Sequence, residues 1–215
     1  MTGSGAETPA VTGPQFRDAL ASWPVVGHRR ASGAFVALRT DEVQTPDGDV
    51  VRRDVVEHPG AAAVVALDES GQVLLIRQYR HPVGQLLWEI PAGLRDVPAE
   101  PLPVTAQREL REETGYTAKS WHVLVDCYTS PGILTERLRV YLARDLAEVP
   151  GPARGITLRH EEAYLLTAWV PLDEVVAGFL RGELHNGVAA VGIFSAYAAR
   201  QGGFAGLREA GARED

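Results

Sequence analysis

The run Arg108-Glu109-Leu110-Arg111-Glu112-Glu113-Thr114-Gly115 carries three carboxylates in one predicted helix and ends on a glycine. Glu109 and Glu113 lie four residues apart, so both side chains leave the helix on one face, and Glu112 flanks that face. Like charges at this spacing repel by about a few tenths of a kcal/mol in water. A cation between them reverses the sign. Carboxylate oxygens suit hard Mg²⁺ or Mn²⁺, and Mg²⁺ uses few protein oxygens, which leaves room for water and phosphate. A solvated helix laced with i,i+4 pairs, here Arg108 with Glu112, is the competing account of the same residues. The helix is predicted to begin near Pro103 or Val104, since proline is tolerated in a first turn, and to stop at Gly115.

A chain of 215 residues, 45 % hydrophobic and 23 % charged, suits one globular domain with a small extension. The net charge of −7 makes it a poor candidate for gripping a nucleic-acid backbone. It is compatible with carboxylates gathered around a cation that faces an anionic substrate. Met1 to Ala10 has no apolar signal-peptide core and no apolar run has the length of a membrane span, so a cytoplasmic location is the default expectation. The single cysteine, Cys127, excludes an intrachain disulfide and a Cys-rich zinc site. Its neighbours Val123-Leu124-Val125 suggest a buried thiol rather than a nucleophile.

Residues 1–20 are expected to be a flexible tail and 202–215 a mobile end. Strand character begins with Ala34-Phe35-Val36-Ala37-Leu38, turns at Pro46-Asp47-Gly48 and returns from Val50 to Glu57, which suggests a small N-terminal β-unit over 21–58. Strands are expected at 61–67, 73–79 and 86–90, the first two joined as a hairpin through Asp68-Glu69-Ser70-Gly71. Further strands are expected at 121–127, 137–143 and 164–170, with helices from Pro171 to about Leu180 and from Gly187 to Arg200. Strands in mixed order with helices packed outside predict an α/β (α+β) sandwich over 59–201.

The segment from Gly93 to Tyr116 resembles the Nudix box: Gly, five residues, Glu, seven residues, Arg-Glu, an aliphatic, any residue, Glu-Glu, any residue, Gly and an aliphatic. Glu100, Arg108, Leu110 and Gly115 keep the register; six residues rather than five separate Gly93 from Glu100, and Tyr116 stands at the last aliphatic place. The extra residue falls in a loop with Pro98, Pro101 and Pro103, where it is absorbed without disturbing the helix. The resemblance implies a Nudix-type α/β/α sandwich with a mixed sheet. It also implies pyrophosphate hydrolysis, with Glu109 and Glu113 as principal metal ligands, Glu112 as a third, and the Ala92 carbonyl beside them. Gly93, Glu100, Arg108 and Gly115 would be structural.

Outside the box, Leu87-Trp88-Glu89-Ile90-Pro91-Ala92-Gly93 and Ser130-Pro131-Gly132-Ile133-Leu134-Thr135-Glu136 resemble segments of the ADP-ribose pyrophosphatase subfamily, with Pro131 sixteen residues after Gly115. That resemblance implies substrate contacts for Glu89, Pro131, Arg80, Glu136, Arg52 and Arg53, with Arg80 offering a planar fork to phosphate. It further implies a homodimer built through the β-unit, a catalytic carboxylate at Glu162 or its neighbour Glu161, and AMP and ribose 5-phosphate as products. Charged strand edges and an ordinary turn remain the alternative for these residues. Two other functions stay open: hydrolysis of another nucleoside diphosphate sugar or dinucleotide, and a nucleotide-sensing module without turnover.

Overall fold

The computed structural model describes residues 19–20, 36–150 and 165–214. Along the chain run β1 (Ala19–Leu20), β2 (Ala37–Gln44), β3 (Val50–Glu57), β4 (Ala61–Ala66), β5 (Gln72–Arg80), β6 (Gln85–Glu89) and β7 (Ala92–Leu94). They are followed by α1 (Leu102–Glu109), a π-helical turn over Leu110–Thr114, β8 (Tyr116–Tyr128) and β9 (Arg137–Glu148). The described chain closes with β10 (Leu166–Pro171), α2 (Leu172–Leu180), α3 (Gly187–Gln201) and β11 (Arg208–Glu209). The strand start at Ala34-Phe35 and the pair Glu161-Glu162 lie outside the described residues.

β4 lies between β9 and β7. All six of its residues are buried, as expected of a strand covered on both faces. Ala61, Ala63 and Val65 lie beside Val140 and Leu142 of β9 and pack with the inner side of α3 (Ala189, Ile193, Ala196). Ala62, Val64 and Ala66 face Leu102, Ala106 and Leu110 at the carboxylate helix. Period-2 alternation thus gives one strand two separate cores, with helices on both faces, and truncating a fully buried residue such as Leu110 to Ala would cost about 2–5 kcal/mol.

A five-stranded sheet runs in the order β11-β8-β9-β4-β7, with β4 parallel to β9 and the remaining pairs antiparallel. An antiparallel sheet runs β1-β6-β5-β10. The expected β4–β5 hairpin is a corner instead. Asp68 makes the turn, accepting from the Gln72 N–H at 2.7 Å, but only Leu67 and Val73 bridge. Both edges of β4 are taken by β9 and β7, so β5 departs into the second sheet.

The other differences are at the ends. Ala19–Leu20, expected within the tail, pair with β6. Residues 202–215 are predicted to be mobile, yet Phe204 and Leu207 pack on the core, β11 pairs with β8, and the carbonyls of Ala212 and Arg213 accept from buried Arg139. A buried guanidinium requires acceptors, and this segment supplies them. The β2–β3 hairpin is a separate two-stranded sheet whose Leu38 and Val50 are 70 % and 64 % exposed. Backbone bonds from Val56 N to Ile133 O (2.7 Å) and from Thr135 N to Val56 O (3.0 Å) tie it to the following domain. Among the described residues no helix is long and apolar enough to cross a membrane.

Candidate active site

α1 opens after Pro101 with Pro103 in its first turn, and the helical path ends at Gly115, whose φ of +77° is the left-handed conformation that glycine adopts without strain. The last turn widens into π geometry over Leu110–Thr114, between Glu109 and Gly115, with the Thr114 hydroxyl donating back to the Leu110 carbonyl. Such turns occur frequently at functional sites.

Glu113 is held from the sheet side. The Ala92 N–H, at the start of β7, donates to its Oε2 at 2.9 Å. Burial raises its pKa well above the ordinary carboxylate value, and the negative charge of Glu109 raises it further, against the lowering effects of the Ala92 N–H and Arg80. Glu109 is pushed up to about 7, first by burial, against the lowering influence of Arg108 and with Glu112 and Asp96 adding repulsion. A Cβ on Gly93 would lie 2.0 Å from Glu109 Cδ, so glycine at 93 is what lets this carboxylate lie on the strand.

Arg108 is the hub of the outer carboxylates. It contacts Glu109 at 2.5 Å, Glu100 at 3.2 Å, Glu112 at 3.3 Å and Asp96 at 3.8 Å. Thr105 also donates to Glu100, at 2.8 Å. The i,i+4 pair Arg108–Glu112 is therefore formed, and Glu112 faces arginine. Among the described residues, no three His, Cys, Asp or Glu side chains converge as a ready metal cage. What fits a divalent cation is narrower: two desolvated, mutually repelling carboxylates, Glu109 and Glu113, with oxygen as the only donor type. This suits a hard ion that completes its shell with water and phosphate.

Beside this pair opens a cavity of about 490 Å³ that gathers Arg80, Glu89, Ala92, Gly93 and Glu136, together with His58. Glu89 is almost fully buried and receives both arms of Arg80, Nε to Oε1 at 2.8 Å and Nη2 to Oε2 at 2.6 Å, with Gln78 Nε2 at 3.3 Å. The Arg80 fork is thus occupied by a protein carboxylate along one edge. Glu136 accepts from the Thr129 hydroxyl and lies 3.5 Å from His58 Nδ1. The Gly60 N–H donates to that same nitrogen at 3.1 Å. Pro131 sits in the turn closed by Leu134 N to Ser130 O at 2.9 Å, outside the cavity lining. Arg52 is exposed and 3.4 Å from Glu42, and Arg53 bonds the Arg52 carbonyl. The fold leaves both on the hairpin, away from the cavity of this chain.

Two polar cavity residues escaped the sequence, His58 and Asn186, and so did Gln78 behind Glu89. Gln78 had a usable signal, since residues 78 and 80 share one face of a strand. Asn186 caps α3, its Oδ1 accepting from Ala189 N at 2.8 Å. A cleft of about 590 Å³ lined by Asp68, Lys119 and Asp145 holds none of the predicted residues.

A model of the NUDIX domain matches residues 57–190. An ADP-ribose pyrophosphatase of Mycobacterium tuberculosis is 48 % identical over 80 % of this chain and 81 % of its own length. An ADP-ribose pyrophosphatase of Bacillus subtilis is 42 % identical over 54 % of this chain and 62 % of its own. Among solved structures, one described as an ADP compounds hydrolase superposes with a TM-score of 0.64 at 19 % identity, covering 86 % of this chain and 97 % of that one, a likeness of fold.

Proposed function

The chain belongs to the NUDIX domain family and is a pyrophosphatase of that family, and from this premise we propose that it hydrolyses the diphosphate of ADP-ribose to AMP and ribose 5-phosphate in the presence of Mg²⁺, or Mn²⁺ in its place. The observation that carries the proposal is the juxtaposition of two partly buried, repelling carboxylates with a cavity that holds an oriented arginine. The substrate assignment is supported by the names of the two bacterial relatives.

Glu109 and Glu113 would hold the cation, with the Ala92 carbonyl and Glu112 as further oxygen donors. When bound, a divalent cation lowers the pKa of an attacking water and offsets diphosphate charge. Arg80, fixed by Glu89, presents positive charge to the diphosphate from the opposite wall. Glu136 accepts hydrogen bonds from ribose hydroxyls, and Pro131 shapes the turn that carries it. Glu162, or Glu161 beside it, takes the proton from water. Arg52 and Arg53 reach the adenosine end in a homodimer, where the exposed apolar residues of the hairpin unit (21–58) pack against a second copy and 59–201 carries the hydrolase site.

The test is a substrate panel incubated with and without Mg²⁺, with products identified by ³¹P NMR and chromatography. Release of AMP and ribose 5-phosphate from ADP-ribose, and only with the cation, is the expected outcome. Preference for another nucleoside diphosphate sugar or a dinucleotide reassigns the substrate. Binding without turnover makes the chain a sensing module.

A further inference from the structure

The C-terminal segment crosses the sheet on whose face the carboxylate helix packs. Strand register sets Asp126, Arg139, Ala62 and Gly93 side by side across β8, β9, β4 and β7, and directly paired residues point to one face of a sheet. On that face Glu109 closes over Gly93, and Arg139, almost fully buried, donates to Asp126 at 2.6 and 2.9 Å. Arg139 also donates to the carbonyls of Ala212 and Arg213 at 2.6 and 2.9 Å, and Arg208 of β11 donates to Asp126 at 2.7 Å. The next residue, Glu214, reaches Arg95 at 3.3 Å.

Satisfying a buried guanidinium accounts for the carbonyl contacts. It does not account for Glu214, which goes on to Arg95, two residues beyond Gly93. β7 is a three-residue strand at the sheet edge that pairs with β4 and no other described strand, its end also held by the Arg95 N–H on the Gly60 carbonyl at 3.0 Å. Short edge strands fray, so the position of Gly93 depends on restraints at the strand's end. The loop that leaves β7 also carries Asp96 and Glu100, both partners of Arg108.

Resting on the proposal that Glu109 and Glu113 form the cation face, we infer that the C-terminal strap is a positioning element for that face: through Glu214 and Arg95 it holds the 93–96 stretch against Glu109 and Arg108. Glu214→Arg in the full chain breaks the tie without touching the Arg139–Asp126 pair. In hydrogen–deuterium exchange of the metal-free protein, amides 93–96 should then exchange about three-fold faster, the scale of one partly exposed ion pair, while β8 and β9 stay protected. Mn²⁺ binding, followed by the EPR signal of the free ion, should weaken by a similar factor. Combining Arg95→Glu with Glu214→Arg should restore both. Unchanged exchange and Mn²⁺ affinity in Glu214→Arg, or a charge swap that restores neither, overturns the role of the strap. If both respond as stated while no nucleotide of the panel is hydrolysed, the strap stands and the functional proposal fails.

Discussion

Gly93 and Glu109 share one volume: a Cβ on the glycine would lie 2.0 Å from both Cδ and Oε1 of the glutamate. The clash falls on the far end of a flexible side chain, which swings aside at small cost, rather than on backbone. Gly93→Ala should therefore leave the denaturant midpoint within about 1 kcal/mol of the wild type while cutting turnover by orders of magnitude. Combining it with Glu109→Gln should add little further loss, because both changes remove the same carboxylate from the site. A large stability loss with turnover retained would contradict this relationship.

The metal-free protein should become less stable as pH rises. Glu109 and Glu113 both titrate above the ordinary carboxylate value, chiefly through burial. Between that value and about 7 the native state consequently binds more protons than the unfolded chain, and unfolding free energy falls with increasing pH. Urea midpoints should report a loss on the order of 1–3 kcal/mol between about pH 5 and about pH 8. Glu113→Gln should flatten the slope, and so should saturating Mg²⁺. Midpoints that do not change with pH would contradict the burial of these charges.

Arg80 and Glu89 form a pair in which the carboxylate is 3 % exposed and the arginine 45 %. Arg80→Ala leaves Glu89 buried without its counter-charge, at a cost of about 3 kcal/mol. Adding Glu89→Gln should recover most of that stability, but KM should stay at least about ten-fold raised, since the diphosphate still lacks its arginine. Thermal melts and steady-state kinetics on the two variants separate the contributions. Equal KM values in wild type and Arg80→Ala would remove Arg80 from the substrate site.

How much of this was legible in the sequence depends on the range of the interactions involved. β3, β4 and α3 could be read from local apolar patterning, and the end of the carboxylate helix from Gly115 alone. The corner at 68–71 could not, because whether a turn makes a hairpin depends on what occupies the distant edges of β4. The C-terminal strap carries no local sign of order because its partner, Arg139, lies 73 and 74 residues away along the chain from the carbonyls it bonds. In the site, the register of Glu109 and Glu113 was local and visible. The contacts of Glu89 with Arg80, and of His58 with Glu136, arise between strands or loops and leave no local mark.

The carboxylate that takes the proton from water should be separable by kinetics. Glu162→Gln should lower kcat by about 10²–10⁴-fold with little change in KM, and Glu161→Gln should stay near wild type. The reverse pattern reassigns the role to Glu161, and wild-type rates in both remove the pair from the mechanism.

The most direct test is anomalous diffraction from crystals soaked with Mn²⁺ and a non-hydrolysable ADP-ribose analogue. The account predicts a peak bridging the Glu109 and Glu113 carboxylates, with a diphosphate oxygen on the same ion and Arg80 on the other side of the diphosphate. No peak there, with Glu109 still held by Arg108 and the analogue bound elsewhere, would contradict it.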